Sequence, residues 1–508
     1  MVDQHTKKVS WNFFSGLVIS SLLVLQLTRW LILPQFMDIY YHLLTAQGFI
    51  QAGGYGGWDF WQYAPAGRPH IYPPFFHLAL AGFIQAGVNP VILAKLCESL
   101  IPVVLLITLW KFIKDNYGPE LAFFSALLFF SSSSFYLSLL NHIPATLSLI
   151  FGILSLSQLF KKRLLRSAIL LSLVFYTHIG ISFFFAMTFL IYGLLNKEIR
   201  KRATGVLLTA LILGLPIIIK ELSVLKFMHT FGFNLHEKYL CQIKIIESIL
   251  GVIGLFQSLK RGKEYRLFAG MFLASLVFII YPYRLLSAEG YLPIILLCAF
   301  CLLNLYRKVN KRYLILVIAV FILFFSPTFS MYKEVRETKI NYKVKMFDSA
   351  FLNLLLARSK IFWFPQEYIS AAKIVEANSG PADITYCTLD FLGLTISSIA
   401  ARPSANALLP EIKTVKGFNP FIGSTIIIFT RIDDERMVDL TVRKLNLVKV
   451  GENKFFLVYK NTGCRSQAGV IKATLPFWVV SCVVALLLFI FWQSARIEGF
   501  VYKFIKNI

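Results

Sequence analysis

The sequence predicts a polytopic α-helical membrane protein of about twelve transmembrane helices, with a small extracytoplasmic α/β domain inserted before the last one. Three observations carry this. The 508-residue chain is 57% hydrophobic and only 15% charged, against roughly 25% charged in soluble globular proteins. Apolar stretches long enough to cross a hydrocarbon core of about 30 Å recur along most of its length. Its Lys and Arg residues gather in short loops between those stretches, where positive charge stays on the cytoplasmic side. The net charge of +25 is therefore a mark of topology, and no nucleic-acid partner is expected.

After the polar start Met1–Lys8, an apolar run covers Phe13–Leu33. It is too long for a signal-peptide core and no small-residue cleavage site closes it, so it reads as an uncleaved first span. Further spans are expected near 91–113, 120–137, 143–160, 164–178, 180–195, 203–219, 243–258, 267–282, 291–305, 313–327 and 474–493. The basic loops at Lys161–Arg166, Lys197–Arg202, Lys260–Arg266 and Arg307–Arg312 then all lie inside, as do the N-terminus and the tail Arg496–Ile508. This is the pattern of an inner or plasma membrane protein with both termini cytoplasmic. Residues 72–88 decide the parity. They open with Pro73-Pro74, hold His77 and Gln85, and would turn every later basic loop outward if they spanned. They are expected to lie at the outer interface or to re-enter partway.

The expected organisation is a membrane module over 1–327 with a large first outer loop over 34–90, an outer domain over 328–472, and a final span with a basic tail over 473–508. The inside connectors are too small for a nucleotide-binding domain, and no Gly-rich phosphate loop occurs. In the outer domain Pro365–Ser379 is amphipathic and stops at Gly380-Pro381, and Asp433-Asp434-Glu435 opens a helix ending before Leu445. Ile384–Leu389, Thr425–Thr430 and Phe455–Tyr459 are β-rich, which makes an α/β alternation. Cys387 and Cys464 are the two cysteines of this domain, and in an oxidising compartment they could pair. Within the second span Lys95 and Glu98 stand one turn apart, the spacing of an internal ion pair.

Candidate chemistry concentrates at the outer ends of the spans. Asp38 follows the first span by a few residues, and His42 shares its face if the segment is helical. A partly desolvated carboxylate there suits a base or a cation site, although Asp38 also suits a helix cap. The same loop carries Asp59, Arg68 and His70, candidates to shape a substrate site. Asn141 and His142 sit at another outer end, as polar substrate contacts or, for His142, an interfacial residue with a backbone partner. His178 lies at the same level, and the outer ends also supply Lys220, Glu221, His229 and His236. Arg284 breaks the inside-positive pattern, which suits phosphate binding through paired donors or an ion pair with Glu289.

Asp38-Ile39-Tyr40-Tyr41-His42-Leu43 just after a span, with Tyr72-Pro73-Pro74 closing the loop, resembles the GT-C superfamily of membrane glycosyltransferases, and most closely its oligosaccharyltransferase-like members. The likeness extends through about residue 327. It implies an inverting hexosyl- or pentosyl-transferase that takes its sugar from a polyprenyl-phosphate-linked donor in the bilayer. The acceptor would be a glycan, lipid or protein outside the cytoplasm. It further implies that Asp38 is the first-loop acid, acting on the acceptor or holding a divalent metal (Mg or Mn), and that Arg284 binds the donor phosphate; Lys220, by its place at an outer end, is a candidate to help it. Many members carry a second acid after the third span. Here that loop reads Ser138-Leu139-Leu140-Asn141-His142, with no carboxylate. The rival readings are a secondary transporter or lipid flippase, which would want midplane charges and repeated halves, and a non-catalytic lipid-binding scaffold.

Overall fold

The computed structural model describes residues 10–34, 38–132, 139, 142–230, 241–279, 282–286, 288–309, 312–333, 340–348, 364–407, 419–469 and 471–507. Within these residues, fourteen helices lie between Trp11 and Phe325: α1 Trp11–Thr28, α2 Asp38–Ala52, α3 Phe75–Gln85, α4 Pro90–Tyr117, α5 Pro119–Ser131, α6 Ile143–Phe160, α7 Leu164–Thr177, α8 Ile179–Leu195, α9 Lys197–Thr230, α10 Ile245–Lys260, α11 Arg266–Ser275, α12 Pro282–Leu286, α13 Leu292–Lys308 and α14 Arg312–Phe325. A last helix runs Phe477–Asn507. Among the described residues six helical stretches are both long and apolar enough to cross a bilayer: Trp11–Leu31, Pro90–Tyr117, Ile143–Phe160, Lys197–Ser223, Glu289–Lys308 and Phe477–Ser494.

The helix ends follow local chemistry. Asn89 caps α4, its side chain accepting from the Val91 and Ile92 amides at 2.9 and 3.4 Å, with Pro90 at the first helical position. Segment 72–88 contains only α3, whose 11 residues rise about 16 Å, half a hydrocarbon core. The span expected at 203–219 runs on instead as one 34-residue helix. Lys220-Glu221 reads as a span end, but Lys220 donates to Glu221 at 2.7 Å, so the charges are satisfied without breaking the helix. The Lys95–Glu98 pair is corrected. Glu98 takes Arg29 at 2.5 Å, and the Lys95 ammonium donates to the Trp30 carbonyl at 2.7 Å. Burial of the α1–α4 contact favours the partner across it over the more exposed one along the helix.

Close helix approach is set by small residues. A methyl at Gly254 on α10 would overlap the backbone carbonyl of Leu297 on α13, and backbone cannot swing aside as a rotamer can. Gly254→Ala is expected to lower stability by about 1–3 kcal/mol, read as an earlier thermal transition in detergent. Gly82→Ala, with open space around it, should be neutral. Equal transitions for the two variants would refute the packing argument.

The segment before the last helix forms a four-stranded sheet in the order β7-β8-β10-β9: β7 Thr385–Cys387, β8 Ile426–Thr430, β9 Leu447–Glu452 and β10 Phe456–Asn461. Strand β7 is parallel to β8, and the other two pairings are antiparallel. All five residues of β8 are buried, as an interior strand requires. Helices Pro365–Asn378 and Asp390–Ala400 contribute Tyr368, Val375, Leu392 and Ile396 to its core. Cys387 and Cys464 are both free thiols, so the disulfide expectation does not hold. A separate three-stranded sheet joins β4 Cys241–Lys244, β5 Ser326–Lys333 and β6 Ile340–Asp348, with β5 in the middle.

The first loop is clamped between these parts. Its strands β1 Gly54–Tyr55, β2 Trp58–Asp59 and β3 Arg68–Pro69 are short. Strand β1 pairs with β11, Leu475–Pro476, at the entry to the last helix, and β2 pairs with β3. Gln47 of α2 donates to the Ser398 carbonyl at 2.7 Å, and Ser404 exchanges backbone hydrogen bonds with Trp61 and Ala64. Residues 38–49 are buried all round, which holds α2 rigidly for the chemistry on its first turn.

Candidate active site

Asp38 is the first residue of α2 and is 2% exposed. One turn on, His42 has no exposure, and its Nε2 lies 3.2 Å from Asp38 Oδ2. The other nitrogen of His42 is 2.7 Å from Nε2 of His77 on α3. His142, at the start of α6, brings its Nδ1 to 3.8 Å from the same carboxylate oxygen. His178, between α7 and α8, accepts from the Ile181 amide at 3.3 Å and acts electrostatically on Asp38. Burial works against the Asp38 carboxylate, but His42, His142 and His178 more than offset it and hold its pKa below the usual value. Arg284 on α12 acts in turn on His178 and pairs with Glu289 at 3.3 Å. Glu289 is fully buried, and its Oε2 has no hydrogen-bond partner among the described residues.

A second cluster lies along the first loop. Asp59 Oδ1 takes His70 Nδ1 at 2.6 Å, its Oδ2 accepts from the Tyr41 hydroxyl at 3.4 Å, and Arg68 Nε is 3.9 Å away. Arg68 is fully buried, donates to Gln62 Oε1 at 3.2 Å and covers the rings of Tyr41 and Tyr63. Burial opposes the Asp59 charge, but His70, Arg68 and Lys220 outweigh it and lower its pKa. His70 is itself pushed down by burial, so a neutral ring donating its Nδ1 proton to an ionised Asp59 accounts for both shifts. Lys220 donates to the Tyr72 carbonyl at 3.0 Å and to Glu221.

The structure thus brings Asp38, His42, His142 and His178 together, with Arg284 and Glu289 beside them. Asp59, Arg68 and His70 close on one another, and Lys220 belongs with them. Asn141, His236 and the side chain of His229 lie outside the described residues. Sequence reasoning missed His77 and Tyr41 as members of these clusters. The available signal was a lone His on the apolar segment 75–85 and a Tyr next to His42, and neither says which group it meets across the loop.

The resemblance implied Mg or Mn on Asp38. Such cations take several oxygen ligands, whereas Asp38 is surrounded by imidazoles, and among the described residues no three His, Cys, Asp or Glu side chains are arranged to hold a metal ion. The described residues around Asp38 do not fit such a cation.

No family model matches the chain, and no curated protein is significantly similar in sequence. Solved structures are similar in fold. ArnT from Cupriavidus metallidurans bound to undecaprenyl phosphate superposes with a TM-score of 0.53 at 12% identity, covering 89% of this chain and 98% of that one. Its apo state gives 0.52 at 12% identity over 90% and 99%. The apo oligosaccharyltransferase of Archaeoglobus fulgidus gives 0.51 at 12% identity, over 87% of this chain and 70% of that one. This chain shares the fold of these proteins.

Proposed function

We propose that this GT-C-fold protein is an integral-membrane glycosyltransferase that moves a sugar from a polyprenyl-phosphate-linked donor to an acceptor on the extracytoplasmic face. In this reading about twelve helices cross the membrane, both termini are cytoplasmic, and the sheet-bearing segment before the last helix is an outer domain. The observation that carries it is the buried Asp38 carboxylate among three imidazoles, with a guanidinium close by, where the first loop meets the helix ends. An enzyme facing outward has no nucleotide-sugar pool, and a polyprenyl phosphate brings its leaving group to headgroup level, beside Arg284.

Asp38 orients the acceptor hydroxyl and accepts its proton. A carboxylate with a lowered pKa is a weak base, so the proton moves late, after the bond from the sugar to the phosphate oxygen has loosened. The acceptor oxygen bonds the anomeric carbon as the polyprenyl phosphate departs with the electron pair. Arg284, held by Glu289, stabilises the charge on that phosphate.

The test is release of polyprenyl phosphate from a panel of polyprenyl-linked sugars, with membrane extract as acceptor. Wild type should release it, and Arg284→Ala should release it about 10²- to 10³-fold more slowly, with partial recovery in Arg284→Lys. Release at the wild-type rate by Arg284→Ala would sink the phosphate role. Transport of labelled substrate into proteoliposomes would favour a transporter, and donor binding without turnover a scaffold.

A further inference from the structure

His77 has no exposure, and its Nε2 stands 2.7 Å from His42 Nδ1. The other edge of His42 faces Asp38, at 3.2 Å from Oδ2. An ionised carboxylate only accepts, so the proton of a neutral His42 sits on Nε2. His42 Nδ1 is then a lone pair, and so short a contact requires the second proton on His77 Nε2. One hydrogen bond therefore sets both tautomers, in the way that an outer partner of an imidazole fixes which nitrogen its inner partner meets.

We propose that His77 is a positioning residue that locks His42 in the Nε2-protonated tautomer and thereby holds the Asp38 carboxylate toward the acceptor. This deepens the reading of Asp38 as the group that receives the acceptor's proton, and rests on it. The surroundings of His77 are consistent with a neutral ring. From α2 it meets Tyr41, His42 and Phe49; from the loop it meets Tyr72 and His70, whose ring centre is 4.9 Å away; Lys220 acts on it from α9. Burial, then His42, His70 and Lys220, push its pKa well below the usual imidazole value. The bond to His42 leaves His77 Nδ1 as an acceptor, and that buried atom has no hydrogen-bond partner among the described residues. Among the described residues the ring's one polar contact is the one to His42, the contact that matters for Asp38.

The experiment uses the full chain in lipid nanodiscs with ¹⁵N-labelled histidine, comparing wild type, His77→Gln and His77→Leu, with His42 identified by its loss in a His42 variant. In wild type the His42 signal should be that of a neutral ring protonated at Nε2. Gln can donate an amide N–H to the same Nδ1, so His77→Gln should keep that signal and most of the turnover. His77→Leu should mix the tautomers, lower kcat about 10- to 100-fold with KM unchanged, and move the acid limb of the pH profile upward, because a misaligned His42 no longer holds the Asp38 pKa down. A doubly protonated His42 in wild type would overturn the proposal. So would an unchanged kcat and acid limb in His77→Leu, or equal losses in the Gln and Leu variants. If His77→Leu does not fold, the wild-type and Gln spectra still decide. Full turnover in Asp38→Asn would instead sink the base, while the ¹⁵N spectra would judge the His77–His42 bond independently.

Discussion

Asp38→Asn should slow sugar transfer by about 10²- to 10⁴-fold, the range by which a positioned acid or base contributes, while leaving the thermal transition near that of wild type. The amide oxygen can still accept from His42 at the position now 3.2 Å away, so packing and the hydrogen bond survive, and the capacity to take a proton is lost. The pH profile gives an independent handle. Because the folded pKa of Asp38 lies below 3.8, the carboxylate stays charged as the pH falls to about 4, and only below that should turnover fall for want of this group. Release of polyprenyl phosphate, followed from neutral pH down to that limit, measures both effects. A rate for Asp38→Asn within a few-fold of wild type would remove Asp38 from the reaction.

Asp59→Leu should destabilise the protein by about 3–5 kcal/mol, the penalty for removing one partner of a buried charge pair. Arg68 has no exposure and would lose the carboxylate 3.9 Å away. His70 would lose the acceptor at 2.6 Å and Tyr41 the one at 3.4 Å. Asp59→Asn, which keeps the shape and one acceptor, should lose less. The folded pKa of Asp59 is depressed below 3.8, so its stabilisation is complete above the unfolded carboxylate value and is lost as pH falls through the folded one. The difference in thermal transition between wild type and Asp59→Leu should be constant from pH 8 to about 5 and shrink below about 4. A constant difference down to pH 3, or none at pH 7, would show that the cluster does not hold the loop.

Much of the helical layout was legible because membrane helices leave a plain record. Each expected span overlaps a helix, since apolar length and flanking basic residues are one-dimensional signals. The three β-rich stretches before the last helix all overlap strands, and the unbroken apolar run Ile426-Ile427-Ile428-Phe429 lies in the interior strand β8. The errors are where two distant segments meet. Glu98 reads as a partner of Lys95 because helical spacing is visible, whereas Arg29 is 69 residues away and becomes its partner only when α1 packs on α4. Helix α9 passes through Lys220-Glu221 because the two charges answer each other, which a hydropathy window does not register.

For the site, the chain by itself determined that Asp38 and His42 share a helical face one turn apart, since a period of 3.6 residues requires it. Only the tertiary structure decided which site residues touch. His142 reaches Asp38 from α6, His77 reaches His42 from α3, and Asp59 is spent on Arg68 and His70 instead of joining Asp38. The reason is physical: a shared helical face follows from local geometry, whereas hydrogen-bond partners across a loop depend on how α2, α3 and α6 pack, and no spacing within one segment encodes that contact.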